Sequence, residues 1–296
     1  MSSLEELQRI RTIAITALVS DDDFMEILVL KGGNALDLIY GVAARSSSDL
    51  DFSIERAFSD DELEILPGRI QTLLETAFRE EKFEVFDVEF SQQPDPRRNT
   101  HSEFWGGYKI VFKVISSEDF DRLGGDLELI RKEALSLGKL GRKSFEIDIS
   151  SHEYVAPKQE HELVGYALFV YTPEMLMIEK LRAICQQMPE YSEVVNRKRD
   201  SGQRARDFFD ICRIADLFNV DLTKDENLEL VKRIFAAKKV PLELLGKIED
   251  YREFHEPGFT SVIATLKEGI EINDQYDYYF DRVLGIVKSL EPLWIK

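Results

Sequence analysis

The chain has 296 residues, of which 44% are hydrophobic and 32% are charged, and its formal net charge is −18. This length allows one large domain or two smaller ones, with enough apolar residues for a sizeable core. The negative charge argues against a protein that coats nucleic acid non-specifically, because such binding depends on lysine and arginine neutralising phosphates.

The cysteines and the apolar runs of the chain indicate its class. Cys185 and Cys212 both lie in apolar segments with helical periodicity, which favours reduced core thiols over a disulfide framework. The first residues lack the basic and apolar regions of a secretion signal, and no apolar run approaches about 18 residues. We therefore expect a soluble cytoplasmic protein that has no membrane partner.

The hydrophobic period changes twice near the start of the chain. Apolar residues recur at helical spacing over residues 4–19, which predicts an amphipathic helix. Residues 27–30 form a short apolar run that ends in two glycines, and helical spacing resumes over residues 35–40. This pattern predicts a strand, a glycine turn and a helix.

The next segments predict a strand and a long helix. Residues 49–54 alternate polar and apolar side chains, so Asp49 and Asp51 are expected on one face of a strand. Ser59 and Glu62 have the spacing of a capping box, which predicts a helix that reaches about residue 81. Pro67 is a potential break that would divide this helix.

The middle and end of the chain predict two lobes. Strand-like stretches occur at 83–90, 108–115 and 145–149, with a helix expected at 118–137. Thr172 as an N-cap, followed by a proline, then begins a series of helices that continues almost to the end. We predict an α/β (α+β) fold in which a lobe with a short mixed sheet, residues 1–155, precedes a helical lobe, residues 156–296.

The two aspartates of the predicted strand indicate phosphoryl-transfer chemistry. With a third carboxylate from an adjacent strand, Asp49 and Asp51 would hold Mg²⁺ through hard oxygen ligands. Phosphoryl chemistry would use two such ions at this place. One would orient and deprotonate the attacking hydroxyl, and the other would neutralise charge on the triphosphate and the leaving pyrophosphate.

The glycine pair predicts a phosphate-binding turn. Gly32 and Gly33 would let the backbone approach a phosphate closely, and the side-chain amide of Asn34 would add a donor. Lys31 would either contact a phosphate or project into solvent. Glycine pairs and strand-edge aspartates are often structural, but their order here, one helix apart, favours a shared triphosphate site.

Several blocks resemble the AbiEii/AbiGii toxin family of nucleotidyltransferases, within the DNA polymerase β-like superfamily. Residues 30–36, LKGGNAL, look like the glycine motif of the family, and residues 45–52, RSSSDLDF, look like its arginine, serine and carboxylate motif. The resemblance implies an Mg²⁺-dependent nucleotidyltransferase that uses an NTP. It assigns nucleotide binding to Lys31, Gly32, Gly33, Asn34, Arg45 and Ser47, together with Lys180.

Three later blocks extend the resemblance to residue 211. Residues 145–150, FEIDIS, followed by a glutamate, are similar to the strand with the third carboxylate of the family. Glu146 and Asp148 share a face there, and the resemblance favours Asp148 as the metal ligand. The segment EKL around Lys180 and residues 204–211, RARDFFDI, resemble the lysine and Arg-Asp blocks of the family.

The last two blocks imply catalytic groups in the helical lobe. Lys180 is expected to contact the triphosphate. Asp207 and Asp210 share a helix face, and two hypotheses stay open for them. They would either bind or activate the acceptor, or form a structural ion pair between the lobes.

The resemblance also implies a biological role. It indicates the toxin of a toxin–antitoxin or phage-defence pair, with a cognate antitoxin protein as partner and nucleotide addition to RNA such as the 3′ end of tRNA. Residues 194–206, with five basic residues against one acidic residue, would contact the RNA backbone. Alternatives are a protein hydroxyl or small-molecule acceptor, which the negative charge favours, or a non-catalytic nucleotide-binding module.

Overall fold

The computed structural model describes residues 3–44, 49–95, 104–136, 141–195, 202–267 and 269–295 of the chain. The chain forms two compact units. The first comprises Met1–Gly41 and Ser47–Val170, and the second comprises Val42–Ser46 and Tyr171–Lys296.

The first unit is built on one seven-stranded sheet. Its strands in chain order are β1 Val29–Lys31, β2 Leu50–Ser53, β3 Phe83–Gln93, β4 Gly107–Ser116, β5 Ser144–Ser150, β6 Gln159–Leu163 and β7 Tyr166–Val170. Across the sheet their order is β3-β4-β5-β2-β1-β7-β6. The β2–β5 and β1–β7 pairs are parallel and the others antiparallel, which confirms the predicted mixed sheet in an α/β fold.

One face of this sheet is apolar and is covered by helices. The helices of the unit are α1 Ser3–Val19, α2 Asp22–Ile27, α3 Gly32–Asn34 continued by a π-helix at Ala35–Ile39, α4 Asp60–Glu80, α5 Ser117–Arg122 and α6 Leu127–Glu133. Phe145, Ile147 and Ile149 of β5 are buried, whereas the residues between them are only partly buried. Phe78 of α4 packs edge-on against Phe112 of β4. The opposite face of β5 therefore remains polar.

The capping box before α4 forms as predicted. The Ser59 hydroxyl accepts a hydrogen bond from the Glu62 N–H, and the Glu62 carboxylate accepts one from the Ser59 N–H. The predicted division at Pro67 is wrong, because α4 runs through it without interruption. Pro67 is exposed, so the backbone carbonyl that loses its partner lies on the solvent side of the helix.

The single helix predicted over residues 118–137 is also wrong. The structure has two short helices there, separated by Gly124 and Gly125, whose φ angles are +58° and +83°. These left-handed conformations end α5, and the Asp126 carboxylate then caps α6 by accepting from the N–H groups of Glu128 and Leu129. The sequence pattern did not indicate this break, because the apolar periodicity continues on both sides of the two glycines.

The first unit extends past the predicted boundary at residue 155, because the sheet gains a hairpin that the sequence pattern did not indicate. Strands β6 and β7 are joined by a two-residue turn at Val164 and Gly165, both with positive φ. Strand β7 pairs in parallel with β1, which places it in the sheet. β6 is largely exposed, so its sequence lacks a clear apolar alternation.

The second unit is helical in its described part. Its helices are α7 Pro173–Cys185, α8 Pro189–Val194, α9 Ala205–Phe218, α10 Asp225–Ala237, α11 Arg252–His255, α12 Phe259–Ile263 and α13 Tyr276–Ser289, with 3-10 segments at Leu242–Tyr251, Glu256–Gly258 and Glu291–Leu293. The Thr172 hydroxyl caps α7 by accepting from the Met175 N–H, as predicted.

The core of the second unit contains both cysteines. Cys185 and Cys212 are free and buried, which confirms the prediction of core thiols. Burial raises the pKa of both thiols, that of Cys212 to about 12, so neither is a reactive thiolate near neutral pH. Within the described part of the chain, no helix has the length and apolarity needed to cross a membrane.

Candidate active site

The glycine turn lies against one of the predicted metal ligands. Strand β1 ends at Lys31, and Gly32 then begins α3 with a φ of +69°. A Cβ at Gly32 would lie 2.9 Å from Oδ2 of Asp51. Glycine therefore suits this position, because it adopts the left-handed conformation without strain and leaves room for the Asp51 carboxylate.

The strand registers align four charged residues in one row across the sheet. Asp51 on β2 is the register partner of Lys31 on β1 and of Asp148 on β5. Asp148 is in turn the partner of Lys109 on β4. Register partners on adjacent strands project from the same face, so two carboxylates stand side by side with a lysine on each flank.

Asp148 and Glu146 have different surroundings, although they share a face of β5. Lys109 Nζ lies 2.7 Å from Oε2 of Glu146 and 3.4 Å from Oδ1 of Asp148. Burial raises the pKa of Asp148; Lys109 opposes this shift, and the negative charges of Glu146 and Asp49 add to it. The Asp148 carboxylate therefore stands where a nearby cation would stabilise its ionised form.

Asp49 immediately precedes β2, and its charge acts on Asp148. Carboxylates of Asp49, Asp51 and Asp148 are a donor set of the kind that hard divalent cations prefer. Within the described ranges, no group of three or more His, Cys, Asp or Glu side chains is already arranged to hold a metal ion. The β2–β5 register makes Asp51 and Asp148 direct neighbours on adjacent strands. Whether their carboxylate oxygens bind the same ion then depends on their side-chain rotamers.

Lys31 and Asn34 are both buried. Lys31 Nζ lies 3.2 Å from the Ser150 hydroxyl and 4.0 Å from Oε1 of Glu153, and Glu153 is itself buried. The alternative that Lys31 projects into solvent is therefore wrong. Asn34 is hydrogen-bonded through both polar atoms of its side chain, one of them to the Asp49 backbone. Contact of either residue with a nucleotide stays a prediction.

Three predicted features lie wholly or partly outside the described residues. Arg45 and Ser47, predicted to bind nucleotide, fall in the segment between residues 44 and 49. Three of the five basic residues of the segment at 194–206 fall between residues 195 and 202. Of its described arginines, Arg204 pairs with Asp207 and Arg206 donates to the Ser261 hydroxyl.

Lys180 is buried between two aspartates of the second unit. Its Nζ, on α7, lies 2.7 Å from Oδ2 of Asp210 and 3.2 Å from Oδ1 of Asp207, both on α9. The Lys180 side chain is only 6% exposed. Asp207 and Asp210 therefore do form an ion pair, with Lys180. Lys180 belongs to the same unit as the two aspartates, so this pair is not the predicted one between the lobes. The alternative of acceptor binding stays a prediction.

Comparison with known proteins identifies the family. The model of the AbiEii family, described as the nucleotidyl transferase AbiEii toxin of a type IV toxin–antitoxin system, matches residues 14–283. The chain belongs to this family. It is accordingly a nucleotidyltransferase toxin, which implies a nucleotide substrate and an antitoxin partner. No curated protein is significantly similar to the chain in sequence.

Two solved structures are similar in fold to this chain. A Helicobacter pylori protein assigned as a nucleotidyltransferase aligns over 100% of both chains, with 16% identity and a TM-score of 0.50. The structure of JHP933 from Helicobacter pylori aligns over 99% of this chain and 93% of its own, also with 16% identity and a TM-score of 0.50. At this identity the likeness establishes the fold.

Sequence reasoning missed two charged residues that border the AbiEii motifs. Lys109 contacts the strand of the third carboxylate, and Arg11 on α1 contacts Asn34. Lys109 lies in the alternating pattern of β4, where it is a polar residue on the same face as its partners across the sheet. Arg11 interrupts the apolar face of α1, between Leu7 and Ala14, with a buried charge, and this position on the apolar face is the signal that could have identified it.

Substitution of Gly32 by alanine is expected to lower transfer activity about a hundredfold. The new Cβ would displace the flexible Asp51 carboxylate, and a shift of about 1 Å in a reacting constellation can cost that much. The left-handed backbone would add about 1–2 kcal/mol of destabilisation. Initial rates of nucleotide transfer and urea unfolding would measure the two effects.

Gly41→Ala is a matched control for this substitution. Gly41 has a φ of +65°, but a Cβ there would meet nothing within 4 Å. It should therefore show the same loss of stability while transfer activity is unchanged. Equal activity losses in both variants would refute a specific contact between Gly32 and Asp51.

Proposed function

We propose that this AbiEii protein is a Mg²⁺-dependent enzyme that transfers NMP from an NTP to RNA, at the 3′ end of tRNA. The observation that carries this proposal is the pair of adjacent carboxylates, Asp51 and Asp148, beside a glycine turn that touches one of them. We assign the catalytic centre to the first unit, which contains all of these residues.

Asp49, Asp51 and Asp148 would hold the cation, and two ions are expected. Bound there, Mg²⁺ would activate the acceptor hydroxyl and neutralise charge on the triphosphate and the leaving pyrophosphate. The protein supplies the carboxylates and fixes their backbones through the β1, β2 and β5 registers. Lys109 would remain beside Asp148 and Glu146, limiting repulsion among the carboxylates.

The nucleotide is proposed to bind at the glycine turn. The backbone N–H groups of Gly32 and Gly33, at the start of α3, would donate to a phosphate, as N–H groups in the first turn of a helix can. Arg45 and Ser47 are proposed to add contacts, in keeping with the family motif. Lys31, which is paired with Glu153, would chiefly balance charge next to this turn.

An RNA acceptor is supported by the toxin family and by the basic segment at 194–206. Phosphate contacts from such a segment would hold RNA despite the net charge of −18, because local charge governs backbone contacts. The net charge itself favours a second candidate, in which the acceptor is a protein hydroxyl or a small molecule. The two proposals share their chemistry and differ in where the nucleotide is found.

The decisive experiment supplies each of four α-³²P-labelled NTPs to the protein with Mg²⁺, total tRNA, cellular protein and small hydroxyl compounds. We expect label on tRNA with one or more NTPs, and loss of that label with EDTA or with Asp49→Ala/Asp51→Ala. Label on protein or on a small molecule would replace the RNA proposal with the second candidate. Mg²⁺-dependent NTP binding without label on any acceptor would indicate a non-catalytic module.

A further inference from the structure

Asn34 is a fully buried amide held between two groups of opposite hydrogen-bonding character. Its Oδ1 accepts from Nη1 of Arg11 at 2.7 Å, and its Nδ2 donates to the backbone carbonyl of Asp49 at 2.5 Å. A guanidinium can only donate and a carbonyl can only accept, so these partners determine the orientation of the amide. Asn34 therefore links α1 to the residue that begins the metal-binding motif.

Arg11 is held in place from a second side. It is 4% exposed, and its Nη2 lies 3.2 Å from Oδ2 of Asp37, which is also largely buried. The ion pair compensates the buried guanidinium charge, whereas a different nitrogen of Arg11, Nη1, donates to Asn34. Arg11, Asp37 and Asn34 thus form a buried network on the helix side of the glycine turn.

The carbonyl that Asn34 holds lies where the strand ladder ends. The registers of β2 with β1 and β5 begin at Asp51 and Leu50 respectively, so Asp49 is outside both. Strand pairing therefore fixes Asp51 and Asp148 but not the residue before β2. A hydrogen bond to the Asp49 carbonyl restrains the peptide plane that follows its Cα, and this limits the directions open to its carboxylate.

We infer that Asn34 and Arg11 are positioning residues that hold the Asp49 backbone and so aim its carboxylate toward the cation shared with Asp51 and Asp148. This inference rests on the proposed function, because it needs Asp49 as a metal ligand. Groups that orient metal ligands typically contribute 10- to 100-fold to metal affinity or activity. Asn34 would act in this way and would not contact the reacting atoms.

Asn34→Asp tests the inference with little change in volume. The new carboxylate keeps an acceptor for Arg11 but loses the donor to the Asp49 carbonyl. We expect Mn²⁺ alone, followed by electron paramagnetic resonance, to bind about tenfold more weakly. Where transfer is measured, kcat should fall by a similar factor, with a smaller change in KM for the NTP. Asn34→Leu, of similar size but without any donor, should show the same loss of Mn²⁺ affinity.

Asp37→Asn is the matched control. It removes the ion pair of Arg11 but keeps the hydrogen bonds between Arg11, Asn34 and Asp49. We expect it to lower stability toward urea while the Mn²⁺ affinity of the folded protein stays within about twofold of wild type. If the network were purely structural, metal affinity would be unchanged in the folded fraction of all three variants, including both Asn34 variants.

The outcomes separate the inference from the proposed function. If wild type binds Mn²⁺, Asp49→Ala/Asp51→Ala does not, and both Asn34 variants bind like wild type, the positioning role is wrong and the metal site stands. If binding by wild type is insensitive to Asp49→Ala/Asp51→Ala, the proposed metal site fails and the inference fails with it. Weaker binding in the Asn34 variants but not in Asp37→Asn supports both.

Discussion

Replacement of Asp148 by asparagine is expected to reduce nucleotide transfer about a thousandfold. A metal-bound site supplies several kcal/mol of charge stabilisation in the transition state, and each 1.4 kcal/mol corresponds to tenfold in rate. Asp148 is the register partner of Asp51, and the negative charge of Asp49 acts on it. Loss of the Asp148 charge should therefore weaken the cation site directly. Initial rates with labelled NTP and the acceptor that accumulates label would measure the effect.

The same substitution should leave the protein folded. The pKa of Asp148 is raised, chiefly by burial, so a neutral side chain of equal size is well tolerated there. Lys109 keeps its closer partner, Glu146, when Asp148 is neutral. We therefore expect urea unfolding of Asp148→Asn to match wild type or to shift slightly toward higher stability.

Glu146→Gln is the matched control on the same face of β5. Glu146 is held by Lys109 at 2.7 Å, so its neutralisation should change transfer by less than about tenfold. The reverse ranking, with Glu146→Gln the more damaging, would move the third metal ligand to Glu146. Comparable losses in both variants would mean that the cation uses the pair jointly.

Replacement of Lys180 by methionine is expected to destabilise the protein by about 3–5 kcal/mol. Removal of one partner from a buried ion pair leaves the charge of the other poorly compensated, and 3–5 kcal/mol is about the usual cost. Asp207 and Asp210 are both largely buried in this cluster, and Arg204, which contacts Asp207 at 3.5 Å, is 40% exposed. Urea unfolding without nucleotide would measure the change.

Two further variants show whether the effect arises from the buried charges. Lys232 forms an exposed pair with Glu229, so Lys232→Met should cost no more than about 0.5 kcal/mol. Lys180→Met/Asp210→Asn should recover part of the lost stability, because it also removes one of the two buried negative charges that Lys180 contacts. A cost below about 1 kcal/mol for Lys180→Met alone would show that the cluster is not structural, and would strengthen a direct role in binding triphosphate.

Local signals in the sequence predicted several elements around the candidate site. The glycine turn, the strand that carries Asp51, the capping box at Ser59 and the cap at Thr172 depend on neighbours within a few residues, and each was found where expected. Asp49, predicted on the same strand as Asp51, lies immediately before it. The prediction of a single helix over residues 118–137 failed at Gly124 and Gly125. The apolar periodicity on both sides was given more weight than the two glycines, which end α5.

The sequence by itself determined the residue types for phosphoryl transfer and their order along the chain, because helix and strand periods and turn residues act over short distances. The tertiary structure alone decided which charges meet. The β2–β5 register places Asp148 beside Asp51, and α1 brings Arg11 to Asn34. These contacts join distant segments through sheet pairing and core packing, whose energies depend on the whole fold and leave no local pattern.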